Sequence, residues 1–129
     1  MEPRNNVGTS SGLPADVLIV EDDPIIAIDL EETLRRLGVI SVRTAASVNQ
    51  ALDAVAGREP DFALLNVNLG RETTFPVADR LETLKIPFVF LTGYGARGEY
   101  AAQFAHRSKL NKPFALDALE NALRNRSAP

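Results

Sequence analysis

Val17-Leu18-Ile19-Val20-Glu21-Asp22-Asp23-Pro24 is the stretch that decides the fold. Four consecutive apolar residues show no alternation of period two. A strand built from them is covered on both faces, as in a parallel sheet enclosed by helices. The change from apolar to acidic at Glu21 marks the strand's carboxyl end. Asp23 and Pro24 then offer an N-cap and a first-turn proline. Ile26, Leu30, Leu34 and Leu37 follow at helical spacing, with Gly38 as a stop. A buried strand, an acidic turn and an amphipathic helix make one β-α unit.

Outward from this unit the pattern repeats. Phe62-Ala63-Leu64-Leu65 and Phe88-Val89-Phe90-Leu91 are further apolar runs, and residues 39–43 and 108–110 carry weaker strand signals. Ser47 and Gln50 form a capping-box pattern ahead of Leu52 and Val55. Val77, Leu81 and Leu84 mark a third helix, which must stop before Pro87. Tyr100 and Phe104 suggest a short fourth helix after Gly95 and Gly98, and Leu116, Leu119 and Leu123 a fifth. Repeated β-α units imply right-handed crossovers and a parallel sheet. The predicted fold is α/β: a three-layer, doubly wound (βα)5 domain of flavodoxin-like strand order 2-1-3-4-5.

Size and composition agree with one such domain. The chain has 129 residues, 45% of them apolar and 24% charged. Residues 1–14 are polar and rich in Gly, Ser and Asn, and are expected to be a disordered leader. Residues 15–126 form the domain, and 127–129 a tail. The absence of cysteine excludes disulfides and thiolate metal sites. No apolar run approaches the roughly 20 residues that span a bilayer. The leader lacks a signal peptide's apolar core, so the expected location is the cytoplasm, away from membranes. A net charge of −3 without a basic cluster argues against nucleic-acid binding.

In a sheet of this order, ligands meet the strand carboxyl ends at the switch point between the first and third strands. Glu21-Asp22-Asp23, Asn66-Val67-Asn68, Thr92-Gly93 and Asn111-Lys112-Pro113 all fall at such ends. Carboxylates, amides, a hydroxyl and an ammonium together suit a hard cation and phosphoryl oxygens, with Mg²⁺ the expected ion.

The segments LIVEDDP, LLNVNLG, FLTGYG and NKPF, in this order and spacing, resemble the four signature segments of response-regulator receiver domains of the CheY-like superfamily. The resemblance spans residues 16–126. FLTGYG, with no output domain in the chain, resembles a bacterial subgroup of single-domain receivers. It implies a signalling module of a two-component phosphorelay, not an enzyme. By this resemblance Asp22 is the direct Mg²⁺ ligand, Glu21 adds charge or a water-mediated contact, and Asn68 ligates through its backbone carbonyl. Asn66 completes the metal set at the phospho-acceptor position. Thr92 hydrogen-bonds a phosphoryl oxygen, Lys112 pairs with the phosphoryl group or acceptor, and Pro113 shapes the turn beside it. The implied partners are a sensor histidine kinase or histidine phosphotransfer protein upstream. Downstream, a protein partner would dock on the face of the fourth helix, fifth strand and fifth helix.

Two positions depart from the pattern. Where receivers carry an aspartate, Asn66 presents an uncharged amide whose lone pair is committed to resonance, a very poor nucleophile. It removes one negative charge, which weakens Mg²⁺ binding and relieves repulsion among the acidic groups. Asn66 fits a natural pseudo-receiver or a working receiver whose aspartate has been replaced, and the intact remainder of the site favours the second. Deamidation could restore the acceptor, but the β-branched Val67 disfavours it. Lys109 stands where many receivers have a switch aromatic, leaving Tyr94 or Tyr100 as substitutes.

Rival functions fare worse. A phosphorylation-independent binding module needs only the surface. A small Mg²⁺-dependent phosphotransferase or phosphatase needs an aspartate at the third strand's end, which Asn66-Val67-Asn68 lacks. Flavin binding wants a Ser/Thr-rich loop after the first strand, where this chain has carboxylates. His106, the single histidine, reads as a surface residue. Phe75, Tyr100 and Phe114 read as packing, and Ile25 and Ile28, off the helix stripe, as packing or a docking face.

Overall fold

The computed structural model describes residues 12–92, 109–111 and 116–125. The chain runs β1 (Asp16–Val20), α1 (Pro24–Leu37), β2 (Ser41–Ala45), α2 (Val48–Gly57) and β3 (Phe62–Asn66). Two short strands follow, β4 (Asn68–Leu69) and β5 (Glu72–Thr73), then α3 (Phe75–Thr83), β6 (Phe88–Thr92), β7 (Lys109–Asn111) and α4 (Leu116–Arg124). The main sheet has the order β2-β1-β3-β6-β7, and every neighbouring pair is parallel. This is the predicted 2-1-3-4-5 order. The fourth helix expected around Tyr100 and Phe104 lies outside the described residues.

Alternation along the buried strands separates two cores. Leu18, Val20, Ala63, Leu65 and Phe90 face α2 and α3, meeting Ala51, Val55, Val77 and Leu81. Val17, Ile19, Leu64, Val89 and Leu91 face α1 and α4, meeting Leu30, Leu34, Leu119 and Leu123. Both faces of the central strands are therefore dry, which is why their sequences are unbroken apolar runs. Phe90 packs edge-on to Phe75 and Phe88, with ring centroids 5.9 and 5.5 Å away. Phe75 is packing, as its sequence context suggested.

The helix ends follow the local chemistry. Asp23 caps α1, its carboxylate accepting from the Ile25 and Ile26 amides. Ser47 caps α2 by accepting from Gln50 N–H, while the Gln50 side chain reaches back to Ala46 N–H. Gly38 closes α1 with φ 119°. Both its own N–H and that of Val39 donate to Leu34 carbonyl oxygen. Val39 thus belongs to the helix cap, and β2 begins at Ser41, two residues later than the predicted 39–43. β7 is offset by one residue from the predicted 108–110.

One boundary is corrected. Leu13 is only 1% exposed and packs with Val17, Leu34 and Val39, and Pro14 is also buried. The packed unit therefore includes Leu13 and Pro14, which the sequence reading assigned to the leader. Among the described residues, no helix is long and apolar enough to cross a membrane.

The amino edge of the sheet carries an ionic cluster that the hydrophobic pattern does not announce. Asp16, 8% exposed, accepts from Ser41 Oγ at 2.8 Å and from Arg43 Nη2 at 2.7 Å. Arg58 approaches it at 3.5 Å. Arg43 also donates to the Ala54 and Arg58 carbonyl oxygens at the end of α2. One carboxylate and one guanidinium thereby tie β1, β2 and α2 together, at the end of the sheet opposite to the predicted site.

Candidate functional site

At the carboxyl ends of β1 and β3 the apolar runs give way to polar side chains. Glu21 follows β1 and is 3% exposed, with its backbone N–H bound to Ala45 of the neighbouring strand. Its carboxylate accepts from Asp23 N–H at 3.1 Å, which turns the chain into α1 and leaves Asp22 exposed beside it. Asn66 ends β3, in register with Leu91 of β6. Parallel pairing of β1 with β3 thus brings residues 45 positions apart into contact.

The Asn66 carboxamide is the centre of the cluster. Its Nδ2 donates to Asn68 carbonyl oxygen at 2.6 Å, to Glu21 Oε2 at 3.2 Å and to Asp22 Oδ1 at 3.4 Å. Chemistry dictates this orientation. Turned over, the amide oxygen would face a carbonyl and two carboxylates with no proton between them. Two N–H protons are shared among three acceptors, two of them formally anionic.

Four of the residues singled out in the sequence, Glu21, Asp22, Asn66 and Asn68, are therefore brought together. Thr92 ends the next strand, paired through its backbone with Asn111 of β7, so β6 and β7 direct their carboxyl ends to the same edge. Lys112, Pro113, Gly93, Tyr94 and His106 lie outside the described residues.

Sequence reading missed the device that holds Asn68. β4 and β5 form a small antiparallel hairpin, pairing Asn68 with Thr73 and Leu69 with Glu72 across Gly70-Arg71. Gly70 has φ 68°, and its absent Cβ would lie 4.0 Å from Asp22 Oδ2. A glycine opening a two-residue loop between paired segments is a hairpin signal that could have been read. Glu72 then accepts from Val48 N–H at 3.1 Å, at the first turn of α2, where a negative charge is favoured. Glu72→Ala should lower stability by about 1 kcal/mol, as expected for a lost helix cap, while Glu72→Gln should retain most of it. Urea midpoints of the two variants check this; equal losses would show that the accepting oxygen is not what matters.

Beside the cluster a groove of about 200 Å³ runs between α1 and the β2–α2 turn, lined by Asp22, Pro24, Ala27, Ile28, Ala46 and Gln50 among others. Ile25 and Ile28 are 77% and 56% exposed, so they are surface residues and not core packing.

A parallel five-stranded sheet ordered 2-1-3-4-5, with acidic groups at its switch point, defines the CheY-like class of α/β folds. The family model of the response regulator receiver domain matches residues 17–124. The transcriptional regulatory protein PdtaR of Mycobacterium tuberculosis is 30% identical over 116 residues, 88% of this chain and 57% of that protein. The chain thus spans little more than half the length of this relative. The solution structure of SdrG from Sphingomonas melonis Fr1 is 43% identical, covering 84% of this chain and 92% of that one with a TM-score of 0.74. The receiver domain of the Erythrobacter litoralis PhyR response regulator is 29% identical, covering 93% and 98%, with a TM-score of 0.76. The chain belongs to the response regulator receiver domain family, whose members are signalling modules and not enzymes.

Receiver domains generally bind Mg²⁺ at an acidic pocket of this kind. The Asp22 carboxylate and the Asn68 carbonyl oxygen suit that ion. The Asn66 amide does not, because it directs N–H protons into the space where those oxygens converge. In the observed arrangement the donor set does not fit a bound cation.

Proposed function

We propose that this chain is a receiver of a two-component phosphorelay in which Asn66 stands at the phospho-acceptor position and cannot be phosphorylated. It then signals by docking, held in the arrangement of an unphosphorylated receiver. The observation carrying this reading is the place of Asn66, at the carboxyl end of β3 and in hydrogen-bond contact with Glu21, Asp22 and the Asn68 carbonyl. A carboxylate there would be a nucleophile beside a cation site; an amide is neither charged nor nucleophilic. Thr92 and Lys112 keep the roles the family pattern gives them, contacting a phosphoryl group in a competent variant.

The partner classes are those of receivers: a histidine kinase or phosphotransfer protein upstream, in the cytoplasm, and a protein target downstream. Ile25 and Ile28, exposed on α1 beside the groove, offer an apolar contact next to the acidic cluster. The downstream face includes β7 and α4, where Leu116 is 52% exposed. An aspartate at position 66 would add a third negative charge to those of Glu21 and Asp22, so Mg²⁺ is expected to bind this chain more weakly than that variant. The alternative reading, a phosphorylation-independent binding module, differs in that Asn66→Asp would gain no phosphoryl group either.

The test is intact mass after incubation with Mg²⁺ and acetyl phosphate, for this chain and for Asn66→Asp. The expected result is one phosphoryl group on the variant and none on the unmodified chain.

A further inference from the structure

We propose that the Asn66 carboxamide is a built-in substitute for the divalent cation, so that this domain satisfies its acidic pocket without metal and Mg²⁺ must displace an existing partner to enter. The inference rests on the reading of Asn66 as the acceptor position, and adds to it. Loss of one charge weakens an ion's attraction. Occupation of the site by a donor is a separate obstacle with separate consequences.

The geometry carries the distinction. Nδ2 reaches Glu21 Oε2, Asp22 Oδ1 and the Asn68 carbonyl oxygen at 3.2, 3.4 and 2.6 Å. An oxygen-ligated cation would draw on the same carboxylate and carbonyl groups. Glu21 is almost fully buried, so water is poorly placed to satisfy its carboxylate, and an unpaired buried charge is costly. Asp23 N–H and the Asn66 amide supply donors instead. To ligate through its own oxygen, Asn66 would have to turn over and give up all three hydrogen bonds. To make room for water as a ligand it would have to leave.

Two pictures therefore predict opposite outcomes for Asn66→Ala. If only charge matters, removing a neutral amide leaves Mg²⁺ affinity unchanged or lowers it. If the amide competes with the ion, its removal frees Asp22 and the Asn68 carbonyl, and affinity rises. Hydrogen bonds to charged groups are strong enough that the gain should be roughly tenfold. In metal-free solution the order reverses, and the unmodified chain melts above both Asn66→Ala and Asn66→Asp.

The experiment is a titration of the full chain, Asn66→Ala and Asn66→Asp with Mg²⁺ alone, read by the backbone amide signals of Asp22 and Asn68. The side-chain NH2 signals of Asn66 in the unmodified chain give a readout that needs no variant. Expected are affinities rising from the unmodified chain to Asn66→Ala to Asn66→Asp. The Asn66 NH2 protons should be slow to exchange and unmoved by Mg²⁺ that saturates Asn66→Asp. Affinity in Asn66→Ala no higher than in the unmodified chain, or fast-exchanging Asn66 NH2 protons, would overturn the inference. If Asn66→Ala binds Mg²⁺ more tightly but Asn66→Asp takes no phosphoryl group, the cation substitute stands and the phosphorelay reading fails. The reverse pair of results leaves the phosphorelay reading intact and removes this one.

Discussion

Asn66→Asp should gain one phosphoryl group from acetyl phosphate in the presence of Mg²⁺, while the unmodified chain gains none. The difference is all or none because it concerns the nucleophile itself. A carboxylate oxygen can form the new bond to phosphorus as the bond to the acetate leaving group breaks, with the cation balancing charge on the phosphoryl oxygens. The amide oxygen of Asn66 would have to surrender its resonance to do the same. The variant also places three negative groups at the ends of β1 and β3, where Glu21 and Asp22 already stand within 3.4 Å of the Asn66 amide. Intact mass reads the outcome directly. A gain on the unmodified chain would place the acceptor elsewhere and sink the proposal that Asn66 silences the site. No gain on either would mean that phosphotransfer is lost more deeply than at position 66.

How much of this could be read from sequence depends on whether the signal was local. β1, β3 and β6 were legible as apolar runs because both of their faces are buried. The caps at Asp23, Ser47 and Gly38 were legible because capping depends on a side chain within a few residues. The β2 boundary was misplaced because Val39 is apolar and buried, as a strand residue would be, yet its N–H closes α1. Leu13 was assigned to a leader because residues 1–14 as a whole are polar and rich in Gly, Ser and Asn; only its contact with the α1 core reveals it.

The site divides in the same way. That Glu21, Asp22, Asn66 and Asn68 share one end of the sheet followed from strand order. Which way the Asn66 amide points did not, since it depends on three oxygens contributed by two different strand ends. Glu72 was overlooked because its partner, Val48 N–H, lies 24 residues away and is a backbone group that no pattern marks.

The Asp16 cluster was invisible for the same reason, and it supports the second large prediction. Asp16→Asn should lower stability by about 2 kcal/mol at neutral pH, because it leaves the largely buried Arg43 guanidinium without its counter-charge. Arg58, 63% exposed, contributes little to that figure. Burial alone would raise the Asp16 carboxyl pKa. The hydrogen bonds from Arg43 and Ser41 and the charges of Arg43 and Arg58 outweigh burial and hold it below 3.8. A carboxyl whose folded value is depressed stabilises the fold above its unfolded value, and that contribution fades as pH falls through the folded one. The unmodified chain should therefore lose stability on acidification below about pH 4 more steeply than Asp16→Asn, and the two curves should converge. Urea midpoints across that range measure this. Parallel curves would show that shape and not charge holds β1, β2 and α2 together. Because the cluster sits at the amino edge of the sheet, Asp16→Asn placed in the Asn66→Asp background should still accept a phosphoryl group. Stability would fall while the chemistry at the opposite edge survives, which is the separation expected of a rigid sheet with its framework at one end and its site at the other.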